Sequence, residues 1–281
     1  MAALTDLSDI INRTTGGNSG APETIFFFKD SRTFAGAAVA ATVSGRLTSL
    51  WQYIGSPTAD SSNPSSGVAS LSTNGAMQIT NPAGGTQKWL LGMTGSSSVA
   101  GTLILYDRLA HNSGLSGILD TAQTVNLTPD RYTSTESAGN QIWLEIYSLI
   151  GTTARTVTIS YTNQNGTDSR TTPATAIGGT GLREAQRLIQ IPLAAGDTGV
   201  RSVESVTLSG STGTAGNFGV VIGRPLIVMP LGVIGTGSVR DLIAGLPGII
   251  EIKTDACLSL QWLANVTAAP QIYGSLHMVE K

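Results

Sequence analysis

The stretch Arg155–Tyr161, RTVTISY, alternates without a break. Val157, Ile159 and Tyr161 fall on one side, and Thr156, Thr158 and Ser160 on the other. A period of two is that of a half-buried strand. Comparable runs recur from residue 94 to the end. Gly101–Leu109 is nearly continuous in apolar residues, and Gln141–Ser148 places Ile142, Leu144 and Ile146 on one face. Further runs cover Arg187–Leu193, Ser202–Ser209, Asn217–Met229, Ile249–Lys253, Cys257–Ala264 and Gln271–Val279. Turn-forming groups such as AAGDTG (194–199), GSTGTAGN (210–217) and KTDA (253–256) separate them. Eight or nine short strands so spaced predict an all-β fold, an antiparallel β-sandwich of jelly-roll-like form. Strand and helix do not alternate, which disfavours a doubly wound parallel sheet. The six residues 149–154 (LIGTTA) fit a hairpin loop, and Asn165-Gly166 fits a type I′ turn.

Residues 1–90 are less regular and are expected to form a mostly irregular arm ahead of a sandwich domain at 91–281. Leu4, Leu7, Ile10 and Ile11 have helical spacing, with Thr5 as N-cap and Gly16-Gly17 as a stop, so a short amphipathic helix is predicted over about 5–14. A helix this short is marginal alone and should dock on something. Residues 55–70, GSPTADSSNPSSGVAS, have the composition of a long loop, and Asn74-Gly75 marks a turn.

Composition narrows the function. Charged residues are 12% of the chain, about half the usual fraction, whereas Gly, Ser and Thr number 34, 29 and 35. A net charge of −2 without a basic cluster argues against a nucleic-acid partner. The most apolar stretch, 220–234, is broken by Arg224, Pro225 and Pro230, so no membrane partner is expected. The single cysteine, Cys257, excludes an internal disulfide. The opening residues have no secretory pattern, and synthesis in the cytoplasm is expected.

Candidate chemistry is sparse. His111 lies in LAHNSGLSG beside Ser113 and Ser116, four residues after Asp107, so a Ser–His–Asp set can be drawn on paper. Serine is so abundant that such neighbours arise by chance, and GLSG (114–117) is one residue short of a nucleophile elbow. His277 reads as a strand residue. Carboxylates are scattered rather than paired. Asp168 and Asp197 sit in turns that could hold calcium but more commonly form Asx turns. The Gly-rich 178–183 and 232–237 lack a phosphate-loop pattern. No catalytic residue, metal or cofactor is expected. Trp143 and Trp262 read as core. Trp51 and Tyr53 read either as core or as anchors against a neighbouring subunit.

Several runs together resemble a group of structural proteins of tailed bacteriophages: SLWQYIGSPTA (49–59), AGTLILYDRLAHNSGLSG (100–117), WLEIYSLIGTTARTVTISYTNQNG (143–166), IPLAAGDTGVRSVESVTLSGSTGTAGNFGVVIGRPL (191–226) and DACLSL (255–260). The resemblance spans about 50–281, and its most distinctive pieces are 103–117 and 195–209. It implies a non-enzymatic virion protein, placed here as a capsid decoration or cement protein on the capsid exterior. The implied partners are the major capsid protein and further copies of the chain, as a homotrimer. Leu4, Leu7, Ile10, Ile11, Trp51 and Tyr53 are the candidate interface anchors. The alternative is a tail, neck or fibre component that binds host glycans.

Overall fold

The computed structural model describes residues 7–14, 22–34, 42–245 and 248–281. The first half of the chain carries α1 (Leu7–Thr14), β1 (Glu23–Phe34), β2 (Leu47–Ser49), β3 (Tyr53–Ser56), β4 (Gly67–Val68), β5 (Lys88–Ser97), β6 (Gly101–His111) and β7 (Gln123–Leu127). Next come β8 (Gln141–Ser148), β9 (Arg155–Asn163), β10 (Arg170–Thr171), β11 (Thr175–Ile177), β12 (Arg187–Ile191) and β13 (Val200–Leu208). The last are β14 (Asn217–Leu231), β15 (Ser238–Asp241), β16 (Ile250–Ile252), β17 (Leu258–Ala264) and β18 (Gln271–Glu280). The protein is all-β and antiparallel, with one short N-terminal helix.

Three sheets form, and one of them closes on itself. Strands run β14-β8-β12-β2-β17-β6 by neighbour, and β14 also pairs with β6, which completes a barrel of six strands. The 15 residues of β14 make this possible. Along one edge Phe218–Gly223 pair with β8, and along the other Val221–Leu231 pair with β6. Two bulges, at Ile222/Gly223 and Pro225/Ile227, bend the strand round the barrel.

Alternation gives the barrel wall two buried faces. From β8, Ile142, Leu144 and Ile146 point outward into a core shared with the five-stranded sheet β10-β9-β13-β7, in which β11 also pairs with β9. There they meet Val157, Ile159, Tyr161, Val203 and Val206. From β6 and β17, Leu103, Leu105, Leu258, Leu260 and Trp262 point outward into a second core. This one is shared with Leu90, Met93, Leu276 and Met278 of the sheet β15-β5-β18-β1-β3. The sandwich layering expected from the sequence is thus sheet on barrel on sheet, with each flanking sheet covering one side of the barrel.

The opposite residues of the same strands fill the lumen: Tyr106, Trp143, Leu188 and Val221, with Leu47 beside them. A six-stranded barrel is narrow, so large rings must face small residues. Gly223 faces two of them. A Cβ there would lie 2.7 Å from the Trp143 ring and 2.9 Å from the Tyr106 ring. The two rings in turn meet edge to face, centroids 5.6 Å apart.

Three details differ from the sequence reading. Residues 149–154 form no hairpin: β8 belongs to the barrel and β9 to the five-stranded sheet, so the connection crosses between layers. The Asn165-Gly166 turn is not type I′, because only Gly166 takes a positive φ, +81°. The segment before residue 90 supplies four strands. Of these, β1 pairs with β18, β2 with β12 and β17, and β4 with β6. The boundary expected near residue 90 falls inside β5. Short strands with little alternation of their own, such as LTS and GV, are set by the strands they join. The flanking sheets end in short edges: four residues in β15 and in β3, two in β10 and five in β7.

Gly223→Ala should lower stability by about 1–3 kcal/mol, because the ring pair cannot retreat within a closed barrel. Urea unfolding checks this; an unchanged midpoint would contradict the close lumen packing.

Candidate functional site

A cluster of buried titratable groups lies at one end of the lumen. Arg108 is fully buried. Its Nε donates to His111 Nδ1 (2.7 Å), Nη1 to the Tyr106 hydroxyl (3.2 Å) and Nη2 to the Tyr147 hydroxyl (2.9 Å). Nη2 also lies 2.7 Å from Glu145 Oε2, with both side chains at 0% exposure. Neither Glu145 oxygen has an aligned hydrogen-bond donor among the described residues, so this contact is charge pairing rather than a directed bond. Trp51 lies over the guanidinium, 4.3 Å from ring centre to Cζ, and meets His111 edge to face at 5.8 Å. Gly75 packs on Trp51, where an added Cβ would approach the indole to 2.9 Å.

Outside the wall a second pair holds the barrel to its surroundings. Asp107 accepts from Arg131 Nη2 (3.0 Å) and Nε (3.1 Å), and from the Cys257 amide (2.9 Å). Arg131 also donates to the carbonyls of Ala69 and Arg108, so one guanidinium ties three segments together.

These environments decide the chemistry. Burial, followed by the nearby Arg108 charge, pushes His111 down to about 3, so the ring is neutral and accepts from Arg108. Burial pushes the Cys257 thiol well above its ordinary range, which makes it a poor nucleophile. The paper triad is not assembled: His111 turns to Arg108, Asp107 to Arg131, and Ser113 Oγ to Asn63 Oδ1 (2.9 Å) and the Pro64 carbonyl (2.8 Å). Asp197 is engaged by Tyr161, Asn163 and Arg170. Among the described residues no group of three or more His, Cys, Asp or Glu could hold a metal ion.

The other end of the lumen is open. A cleft of about 500 Å³ is walled there by Leu47, Ile104, Trp143, Leu188, Val228 and Leu263, with Gln141, Gln190 and Gln261 among them. A second cleft of about 410 Å³ lies beside Tyr132 and Arg224; its Lys253 is paired to both Glu136 and Glu251.

The candidate anchors separate into two groups. Trp51 and Tyr53 are at 0% exposure and hold the chain from inside. In α1, Ile10 is buried against Leu91 and Val279, whereas Leu7 and Ile11 are 59% and 50% exposed. Leu4 lies outside the described residues. Sequence reasoning missed Arg108, Glu145 and Tyr147, although a charge at an otherwise apolar strand position, as in LILYDRL and QIWLEIYS, was a usable signal.

No family model matches the chain, and no curated protein matches it. Among the solved structures it resembles, distantly, are structures of a virus. One is of the Gt strain of infectious bursal disease virus, at 10% identity over 94% of this chain and 81% of that chain, with a TM-score of 0.19. Another is the VP2 subviral particle of that virus, at 9% identity over 92% and 80%, with a TM-score of 0.18. Likeness this loose carries no weight for fold or function.

Glu145→Gln leaves Arg108 buried without a counter-charge and should cost about 3–5 kcal/mol, whereas Arg108→Met with Glu145→Leu should recover most of that. Chemical denaturation of the three proteins checks the order. For His111 the folded value of about 3 lies below the ordinary 6.5, so the unfolded chain binds the extra proton between them. Stability should therefore fall as pH drops through that window, and His111→Gln should flatten the fall. Urea midpoints measured across the window test this, and parallel curves for the two proteins would refute it.

Proposed function

We propose that the chain is a non-enzymatic structural protein of a tailed-phage virion, a decoration or cement protein that binds the outside of the capsid shell and stabilises it. The resemblance along 50–281 supplies the particle. The observation that carries the attachment is α1. Ile10 pins the helix to β5 and β18 of a flanking sheet and Lys281 pairs with Asp9, which leaves the apolar Leu7 and Ile11 turned to solvent. Residues four apart lie on one helix face, so they can enter a single pocket of a neighbouring subunit. The partner in this reading is the major capsid protein, reinforced by self-association as a homotrimer, without nucleic acid or membrane. Many equal contacts on one particle add by multivalency. The lumen cluster fits a scaffold rather than a catalyst, since Arg108 and Glu145 are fully buried and His111 is 2% exposed.

Two measurements test this. Quantitative mass spectrometry of purified virions should find the chain in hundreds of copies; a few copies would move it to the tail or neck, and none would end the virion reading. Leu7→Ser with Ile11→Ser should weaken binding to undecorated shells by at least about tenfold, with little change in melting temperature. Equal losses in both would refute the attachment role of α1.

A further inference from the structure

We propose that the open mouth of the barrel is a binding site for a neutral, largely apolar small molecule that carries a hydrogen-bond acceptor, such as an alkyl ketone. The site goes beyond the shell-attachment reading and does not depend on it. Barrel mouths are frequent ligand sites, and the cleft's volume of about 500 Å³ is in the range of small-molecule pockets. Its walls are aliphatic, with the Trp143 ring among them and Pro225 and Val228 contributed by the bent part of β14.

The polar groups identify the ligand. Gln190 Nε2 donates to Gln141 Oε1 at 3.3 Å, so those two amides engage each other. Gln261 stands apart. It is 1% exposed, and its Nε2 has no acceptor among the described residues. The strand alternation of β17 sends Leu260 and Trp262 to the outer core, which turns Gln261 toward the lumen. A buried donor without a partner is unfavourable, and an acceptor entering from the mouth would satisfy it. The one charged residue lining the cleft, Arg46, is exposed at the rim, so the interior offers no counter-charge to an ion.

The test uses the full chain and displacement of the neutral dye N-phenyl-1-naphthylamine, read by fluorescence. Three competitors of nearly equal length are compared: 2-nonanone, 1-nonene and nonanoate. The ketone should displace the dye at least about tenfold more effectively than the alkene. Gln261→Leu should remove that preference while dye binding survives. Equal displacement by ketone and alkene, a preference that persists in Gln261→Leu, or no dye binding at all would overturn the proposal. Tighter binding of nonanoate would place recognition at Arg46 and overturn it as well. The wild-type comparison decides the matter even if the variant fails to fold.

Discussion

The pairing of β14 with both β8 and β6 is the constraint on which the remaining structure depends. Without it the central sheet would be open, and Tyr106, Arg108, Trp143, Glu145 and Tyr147 would face water or require a third covering layer. Closure turns that face into an interior, and the interior sets the side chains. Glycine stands where two rings meet, and a guanidinium stands where two tyrosine hydroxyls, an imidazole and a carboxylate converge. A buried ion pair is weak support for stability, since desolvation offsets much of the attraction. Its better-founded role is specificity. Only one register of β14 against β6 and β8 gives Arg108 all of its partners, so the pair discriminates among closures that the aliphatic residues alone would tolerate.

Much of the fold was legible because most strands obey the simplest rule. Residues 141–148 and 187–191 pair as the alternation of their apolar residues indicates, and the helix near the N-terminus forms where its spacing places it. The barrel was not legible, for a physical reason. In QIWLEIYS both faces are buried, and a reading of Trp143 as core does not separate the core outside the wall from the lumen it fills. The connection at 149–154 has a length that suits a hairpin or a crossing equally, and only the partners of β8 and β9 decide between them. Strands of two or three residues, such as β2 and β4, carry no pattern of their own.

The candidate site divides along the same line. The apolar spacing of α1 was visible. Which residue docks on the sheet and which is exposed depends on Leu91 and Val279, distant in sequence. The buried cluster was seen only as isolated residues, because the groups that engage His111 and Asp107 come from other strands and loops.

The brevity of the outer edges has a consequence for self-association. Long bare strand edges recruit further strands, and identical chains held side by side at high local concentration are well placed for such growth. Here the flanking sheets end in strands of two to five residues, and the 15-residue β14 lies inside the barrel; β3 covers β1 from Phe28 onward. Edges so short offer a second copy little backbone ladder to extend, which disfavours growth of one sheet through many chains.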